Sequence, residues 1–315
     1  MFSRGGASRR LLSRCARSAG GAVWAAHLKP AAEEPAVCEG DQALLFEAGS
    51  ITKGLTGTLL ALCVERGKVR LDSTVGDWLP EAGAAAKVTL PQLATHTSGL
   101  PRLAPNAFLH PDFDKADPYR HFDAVELING LNLLPPLTAT ETPAYSNLGF
   151  QLLGVVLEQV SGLTYPDLLQ NEILTQLAMT ASYVTGKEPA HGNVAQGHAR
   201  RRPVPLWSQP LPAAGGLLST ATDLSRLASR ICEPRDDELS RALQAATAPQ
   251  LRGQGLGWAL TATGIIWHNG GTGGFRSILA ANPHRGRTVS VLIANQHGTS
   301  IDKDAITYVA HADQT

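Results

Sequence analysis

The sequence predicts an α+β fold in which an antiparallel sheet is flanked by helices and a mainly helical domain is inserted. Three observations predict it. Apolar residues recur at helical spacing after Ser50, the middle of the chain alternates helical segments with proline-rich connections, and short apolar or β-branched runs near the end are separated by turn residues. We expect residues 35–94 and 216–315 to form the sheet domain and residues 95–215 the helical domain, with a cleft between them.

The segment ahead of the sheet domain has a composition of its own. Residues 1–32 contain five arginines and Lys29 but no acidic residue, and Glu33 and Glu34 then begin a balanced composition. We interpret residues 1–34 as a basic leader or a disordered arm.

Start and stop signals mark the helices and strands that follow. Ser50 opens a helix of about four turns, because Ile51, Leu55 and Leu59 share one face and Gly67 stands at a C-terminal stop. Further helices are predicted from periodicity and capping residues at 148–161, 164–179, 302–312 and, after Ser219 or Thr220, up to residue 231. Short runs predict an antiparallel meander at 255–261, 264–271, 275–283 and 288–296.

Composition excludes several classes of function. The 27 basic and 27 acidic residues give no net charge, which argues against a nucleic acid or an anionic membrane as partner. The four cysteines are far apart and form no C-x-x-C pair, so we expect neither a disulfide framework nor a structural zinc. No run of about 18 apolar residues predicts a membrane-spanning helix. The composition is that of an ordinary globular protein.

Ser50 and Lys53 are the first candidate pair for chemistry. A serine hydroxyl is a weak nucleophile at neutral pH and needs a neighbour that takes its proton. Positions i and i+3 lie on one face of a helix, so Lys53 can reach Ser50, although a lysine acts as a base only where its surroundings lower its pKa. The same spacing occurs at Ser300 and Lys303. Spacing alone therefore leaves open whether either pair is catalytic.

Two later segments distinguish the first pair from the second. Tyr145 and Asn147 stand just before a helix in PAYSNLGFQLLG, and His268 to Gly270 stand on a strand before a glycine-rich turn in WHNGGTGGFRS. With the first pair they give S-x-x-K, Y-x-N and a K-T-G-like strand in that order. The chain therefore resembles, over residues 43–298, the serine β-lactamase and penicillin-binding-protein superfamily, in its class C β-lactamase-like and DD-peptidase-like branch, which includes related esterases.

The resemblance implies a role for each motif residue. Ser50 would attack a carbonyl and form an acyl-enzyme, with Lys53 and Tyr145 sharing the proton transfer and Asn147 orienting Lys53 and the substrate amide. Either Lys53 or Tyr145 could hold the proton. The backbone N–H groups of Ser50 and Gly271 would form the oxyanion hole. The other implied substrate-binding positions follow the strand: His268, Asn269, Gly270 and, as a partner for a carboxylate, Arg276. No metal or cofactor is implied.

Two departures from the family pattern affect the expected function. The third motif begins with His268 where β-lactamases of this branch have a lysine, and histidine is a weaker, pH-dependent cation. This favours esterases, amidases and D-amino-acid peptidases over β-lactamases. The two strands that precede the serine in the family are weakly marked, so they are expected within 20–30 and 41–49, or else the sheet is incomplete.

We therefore expect a serine hydrolase that cleaves an amide or ester through an acyl-enzyme, of the D-amino-acid carboxypeptidase or esterase type. The alternatives are a β-lactamase, an acyltransferase, a penicillin-binding module that acylates without turnover, and a degenerate fold without chemistry. The resemblance implies a periplasmic or secreted protein, whereas the opening residues show no convincing signal peptide, so a cytoplasmic location stays open. Oligomeric state does not follow from the sequence.

Overall fold

The computed structural model describes residues 6–30, 36–187 and 193–310. The helices are α1 Gly6–Ala19, α2 Thr52–Glu65, α3 Leu90–Ala94, α4 Ala124–Asn132, α5 Asn147–Ser161, α6 Tyr165–Leu169, α7 Ala221–Cys232, α8 Glu238–Thr247 and α9 Asp302–Ala310. The strands are β1 Trp24–Lys29, β2 Val37–Gly40, β3 Phe46–Glu47, β4 Tyr183–Val184, β5 His198–Ala199, β6 Arg202–Pro203, β7 Leu217–Ser219, β8 Ala259–Leu260, β9 Ile266–Gly271, β10 Arg276–Asn282 and β11 Arg287–Ile293. These elements confirm the predicted α+β class and the meander near the end of the chain.

The largest sheet joins the two ends of the chain. Its six strands have the order β2-β1-β11-β10-β9-β8, and each strand is antiparallel to its neighbours. β1 pairs with β11 in a register that sets Ala26 opposite Val291. Smaller sheets join β3, β7 and β4, and β5 with β6.

The large sheet is covered on both faces. Because successive side chains of a strand point to opposite faces, Leu279 packs into the core that contains α2, whereas the neighbouring Ile278 packs against α1 and α9. β10 and β11 are accordingly almost wholly buried, including polar residues such as Ser277, Thr288 and Ser290.

The structure corrects the prediction for the opening segment. Within the described part of residues 1–34, α1 is an ordered helix and β1 is an inner strand of the large sheet, so this part is not a disordered arm. Leu11, Cys15 and Ala19, spaced four apart, form the buried face of α1. The sheet is therefore complete ahead of Ser50. Its two opening strands are β1 and β2, while the expected segment 41–49 supplies β3 of a different sheet.

Helix α2 runs through the interior of the molecule rather than along its surface. Every residue from Thr52 to Cys63 is buried. The sequence predicted a helix with one apolar face, whereas in the structure all faces of α2 are buried. Its glycines allow close contacts: a methyl group added at Gly57 would lie 2.0 Å from the Leu256 carbonyl oxygen. Its threonine hydroxyls are satisfied locally or by neighbours, as Thr56 shows by donating to the Ala213 carbonyl at 2.7 Å. This rigid central helix carries the candidate nucleophile at its start.

Candidate active site

Ser50 occupies a short 3-10 turn, Gly49–Ile51, that leads directly into α2. Gly49 has φ +54°, a left-handed conformation that glycine adopts without strain. A methyl group at Gly49 would lie 2.8 Å from the Gly271 backbone nitrogen. Both the positive φ and the short distance to Gly271 therefore favour glycine at position 49. Without a side chain there, the end of β9 lies against the turn that holds Ser50.

Lys53 is fully buried one helical turn after Ser50. Its Nζ lies 3.1 Å from Ser50 Oγ and donates to the Ala214 carbonyl at 2.5 Å. No carboxylate pairs with it among the described residues. Burial, helped by the positive charge of Arg102, holds the pKa of Lys53 well below its ordinary 10.5. Its surroundings therefore disfavour the charged ammonium form of Lys53.

Tyr145 approaches the same serine from the segment that precedes α5. Its hydroxyl donates to Ser50 Oγ at 2.6 Å, and its ring contacts the Lys53 amine and the His96 ring. Burial raises the pKa of Tyr145, although the hydrogen bond to Ser50 and the charge of Arg102 act in the opposite direction. The phenol is therefore neutral in the resting site. In this hydrogen bond the Tyr145 hydroxyl is thus the donor and Ser50 Oγ the acceptor.

His268 lies on the core-facing side of β9, beside this group. It is almost fully buried, and burial together with the neighbouring Lys53 lowers its pKa to about 4. Its Nδ1 lies 2.5 Å from the Asn269 carbonyl oxygen. The imidazole is neutral at pH 7, so this position carries no fixed charge.

Two of the expected substrate-binding residues lie away from this group. Strand alternation places Asn269 and Arg276 on the face of the sheet that packs against α1 and α9. The Asn269 amide donates to Asp302 at the start of α9. Arg276 donates to three backbone carbonyls, those of Ser18, Asn295 and Thr299. Both side chains therefore hold elements together, which corrects the expectation that they bind substrate.

Asn147 is the first residue of α5, and Ser146 rather than Asn147 caps that helix. The expected contact with Lys53 is not among the described hydrogen bonds. Asn147 Nδ2 instead donates to the Tyr119 hydroxyl at 3.2 Å, and its Oδ1 is buried without a partner in the described residues. Asn147 is thus fixed by Tyr119 and retains one unused acceptor.

A cleft opens at Ser50, and sequence reasoning missed much of its lining. The lining residues are all uncharged: Gly49, Ser50, Tyr119, Asn147, Gln151, Trp207, Gln209, Ala214, Gly215, Gly271 and Thr272. Gln151 could have been found, because it lies one turn after Asn147 on the same face of α5. Tyr119 and Trp207, whose rings meet edge to face, lie in irregular segments that carry no periodic signal.

Glu47 is another missed residue, and it supports the wall of the cleft from within. Its carboxylate accepts from the Thr272 hydroxyl at 2.6 Å and from the Trp207 backbone N–H at 2.7 Å. Burial raises its pKa to about 7. Glu47 thus ties the residue after Gly271 and the segment of Trp207 to the strand that precedes Ser50.

Comparison with known proteins decides the family. A model of the Beta-lactamase family matches residues 38–314. The chain belongs to the Beta-lactamase family. It is 30% identical to penicillin-binding protein 4 of Amycolatopsis lactamdurans, over 82% of this chain and 74% of that protein. It is 28% identical to the D-alanyl-D-alanine-carboxypeptidase/endopeptidase AmpH of Escherichia coli strain K12, over 75% of this chain and 67% of that protein.

The fold of this Beta-lactamase family member is also found among solved structures. A class C β-lactamase mutant superposes with a TM-score of 0.80 and 21% sequence identity, covering 95% of this chain and 94% of the other. Together with the family match and the two relatives, this fold makes the chain a serine hydrolase of the β-lactamase and DD-peptidase type. Within the described residues, no helix is long and apolar enough to cross a membrane, and no cluster of three or more acidic, histidine or cysteine side chains is arranged to hold a metal ion.

Proposed function

We propose that Ser50 is the nucleophile of this serine hydrolase and that Lys53 is its general base. The observation that carries the proposal is the hydrogen-bonded group of three: Ser50 Oγ lies 3.1 Å from the buried amine of Lys53 and accepts from the Tyr145 hydroxyl at 2.6 Å. A buried amine without a counter-charge is the kind of base that a serine hydroxyl requires. The group would work in a cleft between the sheet domain, 35–94 and 216–315, and the helical domain, 95–215.

The proposed reaction has two halves. In the first, Ser50 Oγ forms a bond to the substrate carbonyl carbon while its proton moves to Lys53 Nζ. The bond to the leaving nitrogen or oxygen then breaks as Tyr145 gives that atom its proton, and Lys53 returns a proton to Tyr145. In the second half, the oxygen of a water molecule bonds to the acyl carbon while Tyr145 takes a proton from the water and passes its own proton to Lys53. The bond between the acyl carbon and Ser50 Oγ then breaks as Lys53 returns a proton to Ser50 Oγ. The products are a carboxylic acid and an amine or alcohol.

The oxyanion of each tetrahedral intermediate would be bound by the backbone N–H groups of Ser50 and Gly271. Two features support this proposal. The Gly49 turn lies against the Gly271 nitrogen, and Gly271 lines the same cleft as Ser50. Such preorganised donors stabilise developing charge without moving, which is the largest contribution in many hydrolases. His268 and Gly270 would shape the strand beside this site.

We propose D-amino-acid peptides and simple esters as the substrate class, ahead of β-lactams and of acyl transfer to an alcohol. The name of the AmpH relative supports a peptide bond between D-residues, and the unused Asn147 Oδ1 would be an acceptor for a substrate N–H. The neutral His268 stands where the third motif of β-lactamases in this branch is expected to carry lysine, and this departure supports ranking β-lactams second.

A hydrolysis panel tests the proposed function. The panel contains p-nitrophenyl esters, D-Ala-D-Ala peptides and a chromogenic cephalosporin, and it is applied to the wild type, Ser50→Ala and Ser300→Ala. Ser300 is the matched control, because it belongs to the second serine-lysine pair and its Oγ only accepts from the Asp302 backbone. We expect Ser50→Ala to abolish turnover and Ser300→Ala to keep it. Full activity of Ser50→Ala on every substrate that the wild type hydrolyses would show that the assignment of Ser50 as the nucleophile is wrong.

A further inference from the structure

His96 holds the backbone on either side of Tyr145. Its own backbone carbonyl oxygen accepts from the Ala144 N–H at 2.8 Å, and its imidazole Nδ1 accepts from the Ser146 N–H at 3.1 Å. Its ring also lies against the Tyr145 ring, with centroids 4.6 Å apart. A single residue thus contacts the proposed proton donor from the residue before it, from the residue after it and through its side chain.

The backbone of His96 has a conformation that residues with a side chain rarely adopt. Its φ is +61°, in the left-handed region, two residues after the end of α3. Histidine enters this region more often than most residues with a side chain, but it is strained there. Such strain persists where the surrounding structure fixes it, and it is common at active sites. Here the contacts that fix it run to the segment that carries Tyr145.

The imidazole of His96 is uncharged and its tautomer is fixed. The ring is buried, and burial together with the nearby Lys53 and His268 lowers its pKa to about 3. Because Nδ1 accepts from a backbone N–H, the single ring proton lies on Nε2. Among the hydrogen bonds of the described residues, none joins this ring to Ser50. Any effect of His96 on the reaction therefore passes through Tyr145.

The same ring belongs to an aromatic wall beside the Lys53 amine. The centroids of the Tyr145 and Phe150 rings lie 4.9 and 5.5 Å from Lys53 Nζ. The His96 ring packs on both of them, since its centroid lies 5.1 Å from that of Phe150 as well. His96 thus supports the two rings that contact the proposed base from the side opposite to that base's own helix partners.

We propose that His96 is the positioning residue of Tyr145, and that its Nδ1 and ring hold the phenol hydroxyl at hydrogen-bonding distance from Ser50 Oγ. The inference rests on the proposed function, because it uses Tyr145 as the proton donor. His96 is not among the residues that line the cleft at Ser50, so it does not contact the substrate. Its loss should therefore lower kcat and leave KM nearly unchanged.

The alternative role for His96 is purely structural. A residue that only stabilises the fold lowers the amount of folded enzyme, and its effect on kcat then adds to that of any other substitution. A positioning residue acts only while the group that it positions is present. The experiment must therefore measure the coupling between His96 and the Tyr145 hydroxyl.

The first measurement is a double-mutant cycle on an amide substrate. His96→Gly removes the acceptor and the ring but tolerates the positive φ. We expect it to lower kcat about 10²-fold in the wild type, as for a misplaced catalytic group. In the Tyr145→Phe background the same substitution should change kcat by no more than about 2-fold. Equal losses in the two backgrounds overturn the proposal.

Two further variants separate positioning from stability. His96→Asn also tolerates a positive φ and keeps an acceptor near the position of Nδ1, so it should retain a higher kcat than His96→Gly. Equal kcat losses in these two variants, with both shown to be folded by urea unfolding, overturn the role of Nδ1. His297→Gly is the control, because Nδ1 of His297 also accepts from a backbone N–H, that of Arg200 at 3.3 Å, but His297 is exposed and lies outside the cleft. It should keep the wild-type kcat.

The second measurement does not depend on turnover. Nitrogen-15 NMR of the imidazole groups in the wild type, with His96→Asn to assign the signal, reports which ring nitrogen carries the proton. We expect His96 to stay neutral with its proton on Nε2 from about pH 5 to 9. A proton on Nδ1 overturns the proposal, because that atom could not then accept from Ser146. Failure of the proposed function would appear instead as full kcat in Tyr145→Phe alone, so the two failures are distinguishable.

Discussion

The Tyr145 hydroxyl donates a hydrogen bond of 2.6 Å to Ser50 Oγ, although the two residues are 95 positions apart in the chain. The contact joins the start of the buried helix α2 to the segment that leads into α5. Lys53 lies 3.1 Å from the same oxygen atom. The serine is thus held between a buried amine, whose charged form is disfavoured, and the hydroxyl of a buried phenol.

Tyr145→Phe tests the role of the phenol as proton donor. The substitution removes the hydroxyl and keeps the ring that lies between Lys53 and Arg102. We expect kcat to fall by about 10²- to 10⁴-fold, as for loss of a general acid. Turnover of an amide and of a p-nitrophenyl ester should be compared. The ester has the better leaving group, which needs less protonation, so we expect a smaller fall in kcat for the ester than for the amide.

Tyr165→Phe is the matched control for that experiment. Tyr165 is also buried. Its hydroxyl lies 2.7 Å from the hydroxyl of Thr56, which is on α2 but roughly two turns after Ser50. We expect this variant to lose about 1 kcal/mol of unfolding free energy while keeping its kcat. Equal losses of kcat in the two variants would mean that Tyr145 acts only through stability.

Lys53 variants test whether a neutral amine is the base. Lys53→Met keeps the length of the side chain without the amine, and Lys53→Arg keeps a permanent charge that cannot accept a proton. We expect both variants to lose turnover. Activity retained in Lys53→Arg would contradict the proposed base.

The same variants predict a pH dependence of stability. Because the pKa of Lys53 is lowered in the folded protein, the unfolded chain binds more protons than the folded one between that lowered pKa and the ordinary value of 10.5. The unfolding free energy should therefore rise with pH across this window. Urea unfolding from pH 7 to 10 should show a smaller rise in Lys53→Met than in the wild type. Equal slopes would mean that the buried amine does not titrate as proposed.

Gly49→Ala tests the approach of β9 to the Ser50 turn. The added methyl group would meet the Gly271 nitrogen at 2.8 Å, so we expect displacement of the proposed oxyanion hole and a fall in kcat of about 10²-fold or more. Gly67→Ala is the control, because Gly67 also has a positive φ, +65°, but has open space at the same position. Both variants should lose stability through backbone strain, of about 1 kcal/mol. Only Gly49→Ala should lose kcat.

Glu47→Gln tests the buried carboxyl behind the cleft wall. The pKa of Glu47 is raised from 4.5 to about 7, so the folded protein binds a proton between these values that the unfolded chain releases. This group therefore lowers the unfolding free energy as pH rises from 4.5 to 7, by roughly 3 kcal/mol at most. Relative to the wild type, Glu47→Gln should become more stable as pH rises from 5 to 7.5, as urea unfolding would show. Glu141→Gln, at an exposed carboxyl, should follow the wild type.

The motif residues could be predicted because their order in the chain is informative. Ser50 and Lys53 share a spacing with Ser300 and Lys303, and only the first pair is followed by Tyr145 and the His268 strand. The structure brings Ser50, Lys53 and Tyr145 into contact. The position of the proton could not be predicted, because it depends on how deeply Lys53 is buried and on the absence of a counter-charge around it.

The orientation of Arg276, the positions of Arg102 and Trp207 and the helix α1 were not predicted from the sequence, each for its own physical reason. Arg276 follows the motif closely in sequence, but only the register of β9 with β10 shows that it faces α1 and α9. Arg102 and Trp207 lie in irregular segments, where no periodicity relates a residue to a face. That residues 6–19 form an ordered helix was predictable in part, since Leu11 and Cys15 have helical spacing. The basic composition of residues 1–32 nevertheless favoured a leader.

The most direct test of the central claim is the mass of the trapped acyl-enzyme. The protein is mixed with a slowly hydrolysed acyl ester, quenched in acid and digested, and the modified peptide is sequenced by mass spectrometry. The account predicts a single acyl group on Ser50 in the wild type and in Ser300→Ala, and none in Ser50→Ala. An acyl group on another residue, or labelling that persists in Ser50→Ala, would contradict it.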